Sequence, residues 1–280
     1  MPMWDEWLAA CRRMVSSQRE LFAAERTIAQ RTTYDGRGKG GDHSLVIDRR
    51  AEDLVFAELE SLRAAEQGFT AISEERGVVQ LGGDSASMRV VIDPIDGSLN
   101  ARRTIPAHSL SLAVASGPAM ADVEFAYVYD FGPGEEFAAV RGEGATLDGV
   151  VLRAAGPGYG LELVGIEGAK PERTVPLLRE LEGKAFRVRA VGSIAITLCW
   201  VAAARLDGML TGRACRSVDA AAAQLIAREA GAVVEFPGFP LERAPLDLDA
   251  RYHLTAAGDE DMLETLRDVQ AVAEPAPNRG

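Results

Sequence analysis

Val90-Val91-Ile92-Asp93-Pro94-Ile95-Asp96-Gly97-Ser98-Leu99-Asn100 carries an apolar strand straight into an acid, and a second acid follows past a proline and an isoleucine. Pro94 fixes its own φ and restricts Asp93 to extended geometry. Both carboxylates can therefore converge at the strand end, with the Ile95 carbonyl between them. Carboxylates plus a carbonyl oxygen are a ligand set that Mg²⁺ accepts. Gly97 permits close backbone approach. The N–H groups of Gly97 and Ser98, at the start of a helical turn, suit an anionic phosphate. Asp, Pro and Gly also favour ordinary turns, so the meaning of the stretch depends on its company.

Toward the N-terminus, Trp4, Leu8, Cys11, Val15 and Phe22 recur at helical spacing, which predicts one amphipathic helix from Trp4 to about Gln30. Four glycines within Tyr34 to Asp42 predict an irregular, mobile loop that contains Lys39. A second helix is expected over Asp48 to Ala65. Strands follow at Phe69–Ser73, Met88–Ile92, Ser109–Ala115 and Val123–Tyr129, with a hairpin at Phe137–Val140, and together they suggest an antiparallel sheet. From Leu161 the pattern alternates. Strands are expected at Leu161–Ile166, Phe186–Val191, Leu206–Leu210, Ala232–Glu235 and Tyr252–Ala256. Helices are expected at Val175–Leu181, Ile194–Ala204, Val218–Ala230 and from Asp259. Gly156-Pro157-Gly158-Tyr159-Gly160 makes a connection, which divides the chain into an α+β half, 1–155, and an α/β half, 156–280. The Pro-rich end from Glu274 is expected to fray.

Further acids stand at other element ends. Glu74 and Glu75 follow the strand that ends at Ser73, Asp48 begins the second helix, and Asp219 begins the helix stopped by Gly231. Taken singly, these are a solvated loop and two helix caps. Together they put acids at two strand ends and two helix ends, which is how a shared metal site is assembled in α/β architecture. Clustered acids without cations would repel and raise one another's pKa values.

The bulk composition sets limits. The 280 residues are 47% hydrophobic and 26% charged, ordinary globular values. The net charge of -12, from 30 Lys+Arg against 42 Asp+Glu, disfavours a nucleic-acid binder, which needs a basic face. A phosphorylated substrate remains compatible, because bound cations invert the local field. Cys11, Cys199 and Cys215 are odd in number and lack metal-type spacing, so they read as reduced buried thiols. His43, His108 and His253 are scattered, which argues against a zinc hydrolase. No signal peptide and no membrane span are expected, and a soluble cytoplasmic protein is the default.

The stretch Asp93 to Asn100 resembles the signature of the inositol monophosphatase superfamily in its Ser-containing form. Ser73-Glu74-Glu75 resembles that family's Gly-Glu-Glu segment. Val218-Asp219-Ala220-Ala221-Ala222 with Glu229-Ala230-Gly231-Ala232 resembles its second signature. Gly192-Ser193-Ile194-Ala195 looks like the segment that lines its substrate pocket. The resemblance implies an αβαβα five-layer sandwich and a site for two to three Mg²⁺, with Mn²⁺ as a substitute. It implies Glu74, Asp93 and the Ile95 carbonyl around a first ion, Asp93, Asp96 and Asp219 around a second, and Glu74 with water around a weaker third. Asp48 and Ser98 would position and deprotonate the attacking water, and Lys39 would lie near the phosphate. Gly97, Ser98, Gly192, Ser193 and Ile194 would meet the substrate. A homodimer is also implied.

Two departures bear on the substrate. Val218 stands where the animal-type inositol enzymes carry Trp, and Leu210 to Arg216 lacks the acid that contacts inositol hydroxyls but offers Arg213 and Arg216. Guanidinium groups match phosphate oxygens, so these two arginines are either ordinary surface groups or the holders of a second phosphate. Ser98 to Pro106 is similar to the archaeal-type enzymes that act on inositol phosphates and fructose 1,6-bisphosphate. The alternatives are a 3′-phosphoadenosine 5′-phosphate nucleotidase, for which no aromatic cluster offers an adenine platform, and a non-catalytic metal-binding relative, for which an acid or Ser98 should have been lost.

Overall fold

The computed structural model describes residues 2–37, 43–63, 68–82, 87–154, 158, 160–168 and 170–273. Lys39 and Ala65 lie outside the described residues, as do most of the connection at 155–160 and the chain from Glu274.

The chain opens with helix α1 (Pro2–Ala24), a short α2 (Ile28–Arg31), paired strands β1 (Tyr34–Arg37) and β2 (His43–Leu45), and helix α3 (Val46–Arg63). The single helix expected to Gln30 is therefore interrupted. Thr27 adopts extended geometry and caps α2, exchanging hydrogen bonds with Gln30 as a capping box. The flanks of the glycine-rich segment are an antiparallel pair rather than an irregular loop.

The first sheet contains β3 (Gly68–Ser73), β4 (Gly77–Gly82), β5 (Arg89–Asp96), β6 (Ser109–Ala115), β7 (Val123–Asp130), β8 (Glu135–Val140), β9 (Gly144–Leu147) and β10 (Val150–Val151), in the order β10-β9-β8-β7-β6-β5-β3-β4. It was expected to be antiparallel, and one pair departs from that. β3 and β5 run parallel, with Ser73 beside Ile92. The parallel pair brings two strand ends to one edge of the fold.

Alternation along the strands builds two cores at once. Val90 and Ile92 of β5 and Leu110 and Leu112 of β6 pack with Trp7, Met14, Val55 and Leu59 of α1 and α3. The intervening Val91 and Ala113 face the opposite way, onto Leu198, Val201 and Ala220 to Ala223. Those last residues belong to helices α6 (Ile194–Ala202) and α7 (Ser217–Glu229), after a short helix α4 (Ser98–Arg102) and helix α5 (Pro171–Leu181). Small alanines along α7 let it lie between two sheets. Full burial of Val218, Leu225 and Ile226 contributes about 1.5–3 kcal/mol each.

The second sheet orders as β12-β11-β13-β15-β14, from β11 (Leu161–Glu167), β12 (Ala185–Arg189), β13 (Gly208–Thr211), β14 (Val233–Glu235) and β15 (Thr255–Ala257). The strand expected from Tyr252 is shorter than the pattern suggests, because Tyr252 instead bridges Cys215 in isolation. Leu177 and Leu181 of α5, with Leu263 and Leu266 of α8 (Glu260–Ala273), cover the outer face against Val164 and Ile166. The result is an αβαβα sandwich: α1/α3, first sheet, α6/α7, second sheet, α5/α8. Cys11, Cys199 and Cys215 are buried and free. No described helix is long and apolar enough to cross a membrane.

Candidate metal centre and active-site cleft

The geometry of the acids follows from one irregularity. Along β5 and β6, Asp93 faces Ser111 and Asp96 faces Ser109, so three steps on one strand match two on the other. An extra residue in one strand is a β-bulge, and a bulge re-aims side chains. Asp93 and Asp96, three apart, would point to opposite faces of a regular strand. The bulge turns both into the same cleft. Pro94 sits at the bulge, where it leaves no ladder N–H unpaired, and its carbonyl accepts from the buried Gln18 Nε2 of α1 at 3.0 Å.

Glu74 arrives from the neighbouring parallel strand, directly after Ser73. Asp219 comes from the first turn of α7, where its Oδ2 accepts from the Arg216 N–H at 2.8 Å. That is the helix-capping bond expected of an acid at this position. One carboxylate oxygen from each of Glu74, Asp93 and Asp219 lies within 4.8 Å of the others. Asp96 stands beside this trio, with Oδ2 accepting from Ser193 Oγ at 2.5 Å and from the Ala195 N–H at 2.7 Å. The Ile95 N–H donates to Asp93 Oδ1 at 3.0 Å, and Ser98 Oγ donates to the Ile95 carbonyl at 2.9 Å.

Electrostatically the cluster is under tension. Burial, then the neighbouring charges of Glu74, Asp96 and Asp219, pushes Asp93 well above the ordinary carboxylate range. Burial and then Asp219 push Asp96 up to about 7. Burial lifts Glu74 to about 7 against the lowering effect of Arg216, and it also raises Asp219. Buried like charges at this spacing need a cation to remain ionised together. Oxygen donors of this kind, three carboxylates and a nearby backbone carbonyl, suit a hard divalent ion.

The cleft has a volume of about 730 Å³. Asp48, Glu74, Asp93, Ile95, Asp96, Gly97, Ser98, Gly192, Ile194, Arg213, Arg216 and Asp219 all line it. Asp48 enters from the first turn of α3. Ser193, expected at the substrate, stands behind the wall instead. It is 1% exposed, and its hydroxyl is committed to Asp96. Arg216, read as a surface group or the holder of a second phosphate, is turned onto the acids, with Nη2 at 2.7 Å from Glu74 Oε1 and Nε at 3.9 Å from Asp219 Oδ1. Arg213 is exposed at the rim.

Sequence reasoning overlooked Glu167 and Asn100. Glu167, at the end of β11, is fully buried and accepts from the Val191 and Gly192 N–H groups at 2.9 Å each and from Thr197 Oγ1 at 2.8 Å. It shapes the turn that carries Gly192. Asn100 Nδ2 donates to the Ala107 and Val191 carbonyls at 2.8 and 2.7 Å, tying that turn to α4. An acid closing an apolar strand was the available signal for Glu167, the same signal that singled out Asp93.

Comparison with known proteins places this architecture. A model of the inositol monophosphatase family matches residues 5–271. A fructose-1,6-bisphosphatase/inositol-1-monophosphatase of Thermococcus kodakarensis is 32% identical over 232 residues, covering 82% of this chain and 84% of that protein. A protein of Escherichia coli named Nus factor SuhB is 34% identical over 202 residues, 69% of this chain and 71% of that protein. Among solved structures, an inositol monophosphatase-fructose 1,6-bisphosphatase superposes with a TM-score of 0.81 at 25% identity, covering 94% of this chain and 99% of that one.

Proposed function

The chain belongs to the inositol monophosphatase family, and from that premise we propose that it is a Mg²⁺-dependent phosphatase acting on the phosphate monoester of a small sugar or polyol. The observation that carries the reading is the meeting of Glu74, Asp93 and Asp219, from a strand end, a bulged strand and a helix start, within 4.8 Å. Nothing in local folding requires a buried Asp93 and the half-buried Glu74 and Asp219 to meet, and removal from water penalises each of them. A cation-binding task explains why they are kept.

In this reading Glu74, Asp93, Asp96, Asp219 and the Ile95 carbonyl hold two to three divalent ions. Such ions would activate a water and neutralise charge on the transferring phosphate. The protein's own groups do the rest. Asp48 on α3 takes the water's proton, with Ser98 as its relay. Ser98 also fixes the Ile95 carbonyl through the 2.9 Å hydrogen bond. The backbone at Gly97 and Gly192 forms the floor, close enough that a methyl group on Gly97 would lie 3.1 Å from the Gly192 carbonyl. Arg213 at the rim is placed to hold a distal phosphate or hydroxyl.

Inositol-1-phosphate and fructose 1,6-bisphosphate are the substrates we propose, supported by the double name of the Thermococcus relative and by the segment Leu210 to Arg216, which lacks an acid for inositol hydroxyls and offers Arg213. Side-by-side kcat/KM values for the two, with 3′-phosphoadenosine 5′-phosphate as the contrast and with and without Mg²⁺, check the reading. Release of phosphate from neither sugar nor polyol ester would overturn it.

A further inference from the structure

Arg216 is a feature of the cleft that a cation site does not need. A guanidinium set 2.7 Å from Glu74 and 3.9 Å from Asp219 occupies oxygens that a divalent ion would also use. Its side chain is only 15% exposed, so water screens these contacts little. Its own backbone N–H is bonded to Asp219 as well, which fixes the base of the side chain at the start of α7. The planar guanidinium presents its donors in a rigid fork, which lets it reach two carboxylates at once.

We propose that Arg216 is a resident counter-ion, neutralising Glu74 and Asp219 while the site is free of metal and giving up Glu74 when divalent cations bind. The inference rests on the metal-dependent reading above. Acids held this close, stripped of their cation, would otherwise repel one another. A tethered positive charge lets the cluster fold in place before any ion arrives. The same charge then competes with the ion, so Arg216 sets how much cation is needed to fill the site. Once released from Glu74, the guanidinium still lines the cleft. Arg216 thus acts as a positioning residue, through Glu74 and Asp219.

The test uses the whole chain and Mn²⁺ alone, titrated by calorimetry, with no turnover involved. R216Q should bind Mn²⁺ about tenfold more tightly than wild type, because a competing charge is gone. The metal-free R216Q protein should melt about 5 °C lower at neutral pH, because buried acids have lost their partner. Unchanged or weaker Mn²⁺ affinity in R216Q would overturn the inference and leave the phosphatase reading standing. Absence of Mn²⁺ binding by the wild type would overturn both. Should metal-free R216Q fail to fold, the wild type supplies the answer by itself. The Arg216 Nε–H resonance, assigned by its loss in R216K, should shift during Mg²⁺ addition with the midpoint of metal binding. A resonance unmoved at saturation contradicts displacement.

Discussion

Ser193 donates its hydroxyl to Asp96 Oδ2 at 2.5 Å, so the turn before α6 governs the charge of an acid on β5, in the other half of the chain. Removing that donor should raise the Asp96 pKa from its position near 7, since Ser193 is one of two hydrogen bonds holding it down. A charge-assisted hydrogen bond is worth about 1.5–3 kcal/mol, equivalent to about one to two pH units. In Ser193→Ala the acid limb of Mg²⁺-dependent phosphate release should move upward by that amount. A pH–rate profile identical to wild type would show that Asp96 does not titrate with activity.

The buried acids also make the metal-free protein sensitive to base. Asp93 stands well above its ordinary range, and Glu74 and Asp96 are pushed up to about 7, with burial the leading cause in each. Each binds a proton in the folded state that the unfolded chain has released by about pH 4–5. Stability therefore falls as pH rises from about 4 to about 7. His108 acts in the other direction: buried and pushed down to about 4, it adds stability as pH rises between about 4 and 6.5. One imidazole against this set of acids leaves a net decline. The Tm of chelator-treated protein should drop between about pH 5 and 8, and saturating Mg²⁺ should flatten the drop. A rising Tm across that window would contradict the burial of these acids.

Asp93 belongs to the acid trio and sits at the bulge, so it should tolerate no neutral substitute in function. Asp93→Asn should lose about three orders of magnitude in kcat/KM, on the scale of removing one preorganised group from a transition state. Its metal-free Tm should not fall, because burial and the neighbouring acids already hold metal-free Asp93 neutral, and the amide keeps its size and shape. Wild-type turnover in this variant would end the metal assignment.

Backbone geometry at the cleft floor should be costly to change. Gly97 has φ +91, and an added Cβ would lie 2.9 Å from the Ala107 carbonyl and 3.1 Å from the Gly192 carbonyl. Gly97→Ala should destabilise by about 1–3 kcal/mol from strain, plus the displacement of two carbonyls. Gly231 offers a control, since it has φ +95 but open space around its Cα, so Gly231→Ala should cost only the strain. Denaturant midpoints of the two variants measure the difference, and equal costs would argue against the tight floor.

Much of this could be read from the sequence because its informative residues are contiguous. Asp93, Pro94 and Asp96 announce an acidic strand end, and the alternation of Val90, Val91 and Ile92 between two cores follows directly from a run that is apolar on both faces. Other features depend on contacts that spacing does not encode. The parallel pairing of Ser73 with Ile92 is a choice of neighbour, made by the sheet as a whole. The orientation of Arg216 depends on which acids surround it after folding. Ser193 reads as a hydroxyl facing the pocket until the strand that carries Asp96 is brought behind it. The interruption after Ala24 had a local signal, Thr27 followed three residues later by Gln30, which an apolar stripe continuing to Phe22 concealed.

Helix α7 is buried along most of its length, lies between the two sheets and presents Asp219 from its first turn. The innermost layer of the sandwich therefore also holds one wall of the acidic cleft. Such a cleft has no private unfolding transition: it is complete while the central layer is intact and ceases to exist when that layer melts. Heat inactivation and global melting should be one event, and a partly heated sample should be a mixture of fully competent and fully incompetent molecules.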